Sequence, residues 1–136
     1  MSDSIPCAIV LYPSQQLADL AYQTHKELEQ QGTLATASDS TYDAHLSLYL
    51  LQIDRSAINK VRELLEGAAR SLSPFSLKAK EIRQGGGWVD VVYERNDAIR
   101  KIQLQVIEMV NPLRDGLREK DKLTFALASG VVLDNL

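Results

Sequence analysis

His45, Ser47 and Tyr49 are the residues of this chain whose types and spacing lend themselves to chemistry. They stand at every second position of His45-Leu46-Ser47-Leu48-Tyr49, and the apolar run from Leu46 to Ile53 reads as a β-strand. Side chains along a strand have a period of two, so the three project from one face. An imidazole moves a proton near neutral pH, and a hydroxyl donates a hydrogen bond to an oxyanion. That pair suits a phosphate ester, with His45 as the proton-transfer group and Ser47 as the donor that holds a phosphoryl oxygen. Tyr49 continues the face, and Tyr42 with Asp43 lies in the segment leading to it, so Tyr42 and Tyr49 are candidates for substrate contact. The competing reading is structural: a histidine at a strand start, a small residue against a helix, and a tyrosine packed beneath.

These residues need elements to position them. Residues 7–12 form a continuous apolar run ended by Pro13, which predicts a buried and central strand. Ser14 suits an N-cap, Leu17, Leu20, Ala21, Thr24 and Leu28 mark one helical face, and Gly32 suits the helix end. Residues 33–43 are small and polar, a loop entering the strand that begins near Ala44. Asp54 with Ser56 offers a helix start, and Ile58, Val61, Leu65, Ala68 and Leu72 form its apolar face until Ser73-Pro74. Residues 76–83 and 88–94 alternate on either side of three glycines, which predicts a hairpin. The glycines lack the Lys-Ser/Thr and the following helix of a phosphate-binding loop. Asn96 or Asp97 begins a third helix carrying Ile99, Ile102, Val106, Met109 and Leu113, which Pro112 and Gly116 end or kink. A charged turn over Leu117–Lys122 and a helix within 123–136 are expected beyond it. The order β-α-β-α-β-β-α predicts an α+β fold, because a hairpin interrupts the strand–helix alternation.

Composition narrows the function classes. The chain has 136 residues, 45% of them hydrophobic and 24% charged, which predicts one globular domain over 1–136. A net charge of −3 argues against a nonspecific nucleic-acid binder but leaves room for a small phosphate pocket. Lys78, Lys80 and Arg83 carry the charge to attract a phosphate, but a solvated strand face is the simpler reading, and Trp88 suits core or rim packing better than base stacking. Cys7 is the only cysteine, so no intrachain disulfide is available, and its apolar setting suggests a buried thiol. Two histidines without a carboxylate cluster imply no metal, and no cofactor is expected. The first residues carry no basic segment, and the apolar run is too short to span a membrane, so a cytoplasmic protein without a membrane partner is expected.

This element order, with His45-Leu46-Ser47-Leu48 in the second strand, resembles the 2H phosphoesterase superfamily. That group includes the 2′-5′ RNA ligase-like proteins and the cyclic phosphodiesterases. Its motif is His-x-Thr/Ser-x with apolar residues at x, and His45, Leu46, Ser47 and Leu48 match it in turn. The strand Ala8–Tyr12, Pro13 and the helix after it look like the family's first lobe. The resemblance implies a lobed sheet with outer helices, a metal-independent reaction, and an RNA or nucleotide substrate bearing a 2′,3′-cyclic phosphate or a 2′-5′ linkage. In the family two such motifs face each other, one histidine acting as base and the other as acid. Here the second histidine lies in Thr24-His25-Lys26-Glu27, where helical spacing and Glu27 rule it out as the second motif. The fold is therefore expected to lack its last element. Three arrangements would account for this: a chain truncated at its C-terminus, a natural one-motif variant that binds without turnover, or a homodimer in which each chain lends one motif. The chain alone is expected to be inactive or weakly active. The alternative function is a non-catalytic module that binds nucleotide, RNA or protein on the same scaffold.

Overall fold

The protein is described from a computed structural model covering residues 3–32, 44–85 and 88–118, without the side chains of Gly85 and Trp88. The chain is α+β. Its elements are β1 (Ser4–Leu11), α1 (Gln15–Gln30), β2 (Leu46–Asp54), α2 (Ile58–Ala69), β3 (Ala79–Gly85), β4 (Trp88–Tyr93) and α3 (Asp97–Val110). Short 3₁₀ turns at Arg55–Ala57 and Asn111–Leu113 precede α2 and follow α3. The predicted segments 33–43 and 123–136 lie outside the described residues, as does most of the charged turn. Among the described residues no helix is long and apolar enough to cross a membrane. The chain divides into two compact units, residues 8–50 and the remainder, with the divisions falling inside β1 and β2.

In the smaller unit, Ser14 caps α1 by accepting a hydrogen bond from the Leu17 amide at 3.3 Å. Gly32 follows the helix with φ +92, a left-handed conformation that costs a glycine little, and its amide donates to the Glu29 carbonyl at 3.1 Å. Ile9 and Leu48 are the buried apolar side chains of this unit. Two expectations are corrected here. Among the described residues the strand after residue 7 is not central: there β1 pairs with β2 in a two-stranded sheet. Its apolar run is one-sided, for Ile9 is buried while Pro6 and Ala8 are exposed. The one helical face expected on α1 carries no buried residue, and Leu17 and Leu20 on it are 39% and 63% exposed.

In the larger unit, Ile102, Val106 and Val110 recur at intervals of four on α3, and all three are buried. They share the core with Val61 of α2 and with Leu51 and Ile53 of β2. Asp54 opens the turn before α2 by accepting from the Ser56 amide at 2.9 Å. Asn96 does the same for α3, accepting from the Ile99 amide at 3.0 Å while its own amide donates to the Ser76 carbonyl at 2.9 Å. Beyond α3 the backbone returns to β2. The Asp115 amide donates to the Gln52 carbonyl at 2.7 Å, and the Gln52 amide to the Gly116 carbonyl at 3.2 Å. Two residues thus face one, the geometry of a bulge, and Gly116 has φ +85.

β3 and β4 form an antiparallel hairpin in which Ile82 faces Val91 and Arg83 faces Asp90. Arg83 and Asp90 make an ion pair at 3.1 Å. The register shifts once, between Ala79 and Glu81, at the end away from the glycine turn.

Candidate functional site

The candidate site is built on the N-terminal end of β2. Its first paired residue is Leu46, so His45 stands one residue ahead of the strand rather than within it. Leu48 is 6% exposed, while Ser47, one residue earlier, is exposed, as is His45; farther along the strand the alternation of Ser47 and Tyr49 runs into buried Leu51 and Ile53, so the exposure belongs to the N-terminal end alone. His45 and Ser47 are spaced by two residues, about 6.6–6.8 Å along an extended backbone. Both side chains can therefore reach one tetrahedral group set between them. Tyr49 continues the series and is half-buried, which fits a residue partly packed beneath the exposed pair. Tyr42 lies outside the described residues.

The other sequence candidates have settings of their own. Arg83 is paired with Asp90, and Lys78 with Glu94 at 3.6 Å, so hairpin carboxylates already face two of the three cations. All three cations belong to the solvated hairpin surface expected of them. His25 lies within α1. Cys7 is half-buried, and that burial pushes its thiol above the ordinary value, which disfavours the nucleophilic thiolate. Among the described residues no three His, Cys, Asp or Glu side chains group in a way that could hold a metal.

One feature beside the pair escaped the sequence analysis. An open cleft of about 350 Å³ lies in the smaller unit and is lined by Tyr12, Gln15, Asp19, Tyr22 and Ala44 among others. Ala44 immediately precedes His45. Tyr12 is 66% exposed. Asp19 accepts a hydrogen bond from the Gln15 side-chain amide at 2.7 Å. Tyr22 carries the Lys26 ammonium 5.6 Å from its ring centre. The signal was available in the spacing: Gln15, Asp19 and Tyr22 stand four and three residues apart, one helical face.

Comparison with protein-family models, with curated proteins and with solved structures gave no match to this chain.

Proposed function

We propose that this chain is a 2H-type phosphoesterase-like protein whose ligand is an RNA end or nucleotide carrying a 2′,3′-cyclic phosphate or a 2′-5′ linkage. The observation that supports the reading is that His45 and Ser47 are both exposed at the N-terminal end of β2, two residues apart, with Leu48 beside them buried. His45 transfers the proton, taking it from the attacking hydroxyl or giving it to the leaving oxygen. Ser47 donates its hydroxyl hydrogen to a non-bridging phosphoryl oxygen. Tyr49 borders the bound group. A single imidazole cannot be base and acid in the same step, so turnover by the chain alone is slow and ligand binding is the sharper readout. The same scaffold serving only to bind is the alternative function, and the two differ in turnover.

The test joins both measurements. Purified chain is titrated with a 2′,3′-cyclic nucleotide while the ring protons of His45 are followed by NMR, and hydrolysis is measured in parallel. The expected result is a saturable shift at His45 and a slow hydrolysis that His45→Ala lowers by about 10²–10⁴-fold. His45 is exposed, so the melting temperature of that variant should stay close to the parent's. Binding without any hydrolysis selects the binding module. A His45 resonance indifferent to the nucleotide removes the proposal, as does a His45→Ala variant that loses its stability and has no activity to lose.

A further inference from the structure

We infer that the cleft between the end of β1 and the first turns of α1 is a nucleobase subsite selective for guanine. This rests on the phosphoesterase reading only for what sits next to it, namely the phosphate at His45 and Ser47. The cleft itself makes a separate case. Its volume, about 350 Å³, lies at the low end of the ~300–1,000 Å³ usual for small-molecule sites. Tyr12 and Tyr22 are among its lining residues. Aromatic rings favour a planar π-system, and every base has one to stack.

The polar lining sets which base. Asp19 is a carboxylate and can only accept hydrogen bonds. It takes one at Oδ1 from the Gln15 amide nitrogen at 2.7 Å, which leaves the second carboxylate oxygen for a ligand. That bond takes one of the two Gln15 N–H groups and leaves the amide its carbonyl oxygen as a second acceptor beside its other N–H. The charged group of the cleft, the Asp19 carboxylate, accepts only and asks for donors. Guanine carries adjacent donors on one edge, its ring N1–H and its exocyclic amine. Adenine and cytosine offer an amine beside an unprotonated ring nitrogen, which the carboxylate repels. Uracil offers one N–H between two carbonyls, which meets acceptors on both sides. The same lining turns phosphate away, because a carboxylate stands in the cleft. The phosphate of a nucleotide seated here is thus sent outward. Ala44 lines the cleft, and His45 follows it at the ~3.8 Å spacing of consecutive Cα atoms. Base and phosphate groups are then served by neighbouring parts of the same unit.

The probes are guanosine, uridine and inorganic phosphate, each titrated into the full chain and followed by ¹H–¹⁵N NMR. Guanosine should shift the amides from Tyr12 to Tyr22, and uridine at the same concentration should not. Tyr12→Ala should weaken guanosine about 5–150-fold, the loss expected for one base–aromatic stack, while Tyr12→Phe keeps the affinity. Asp19→Asn should remove the preference of guanosine over uridine, and its own spectrum reports whether it is folded. Equal response to the two nucleosides, or guanosine affinity untouched by Tyr12→Ala and Asp19→Asn, overturns the subsite. The failures of the two readings are distinguishable. Guanosine at the cleft with a His45 resonance blind to inorganic phosphate and to guanosine 2′,3′-cyclic phosphate keeps the subsite and removes the phosphoesterase. A phosphate response at His45 with a silent cleft does the reverse.

Discussion

Ser47 and Leu48 are neighbours whose replacement should have opposite consequences. Leu48 is 6% exposed and Ser47 is exposed. Truncating a buried leucine to alanine costs about 2–5 kcal/mol, through lost transfer energy and the cavity left behind. For a chain of this length roughly 3–5 °C of melting temperature follows each kcal/mol, so Leu48→Ala should melt about 6–25 °C lower. Ser47→Ala removes an exposed hydroxyl, and such surface changes stay within about 0.5 kcal/mol. Its effect belongs to the ligand. A hydrogen bond to a charged oxygen contributes about 1.5–3 kcal/mol, which is about 10–150-fold in Kd at 1.4 kcal/mol per decade. The assay is a pair of curves for each variant: thermal melting by circular dichroism, and calorimetric titration with a 2′,3′-cyclic nucleotide at a temperature where both variants are folded. Leu48→Ala should bind normally once folded, and Ser47→Ala should melt normally and bind weakly. A Ser47→Ala variant that melts as low as Leu48→Ala, or that binds as well as the parent, would refute the assignment of faces on which the site depends.

Other expectations concern the frame around the site. Asn96→Ala deletes the α3 cap and the bond to the Ser76 carbonyl, and should cost about 1–3 kcal/mol in urea unfolding; Asn96→Asp keeps the cap and should recover part of it. The Asp54 carboxyl is held below its ordinary value, first by the Ser56 hydroxyl and then by the Ser56 amide. A depressed folded value means a contribution that is present above pH 3.8 and lost as the pH falls through the folded value. Ser56→Ala should therefore raise the Asp54 titration midpoint toward 3.8, read from its carboxyl ¹³C shift. Cys7, its thiol pushed up by burial, should react with a disulfide reagent at pH 8 more slowly in the folded chain than in urea.

The parts of the fold that were legible in the sequence are those set by chain-local chemistry. Ser14 and Asn96 announce helix starts because their side chains satisfy amides three residues on, and both cap as the sequence suggests. Gly32 announces a helix end through its φ of +92. The hairpin was legible because alternation and glycines coincide. What failed depended on neighbours. An unbroken apolar run reports how hydrophobic a strand is, not how many strands flank it, so a central β1 is expected, whereas among the described residues it has one partner in its sheet. The exposed Pro6 was a usable clue, since a proline lacks the amide that a flanked strand needs. The site divides the same way. The spacing of His45 and Ser47 is legible in the sequence, and both are exposed, but His45 stands one residue ahead of the strand whose period was to place it. The cleft draws on the end of β1, one face of α1 and Ala44, and sequence spacing links only the helical part.

The hairpin ion pair has a role that its strength would not suggest. Arg83 and Asp90 are 67% and 50% exposed, and such pairs contribute little to stability. Yet a slip of one residue would set Arg83 against Val89 or Val91, and Asp90 against Ile82 or Gln84. Either slip leaves two charges facing uncharged side chains and parts Ile82 from Val91. The pair therefore works as a keyed joint: it barely tightens the assembly, but it lets only one alignment close. The single register shift sits at the far end, near Lys80, where a misfit disturbs neither the key nor the turn.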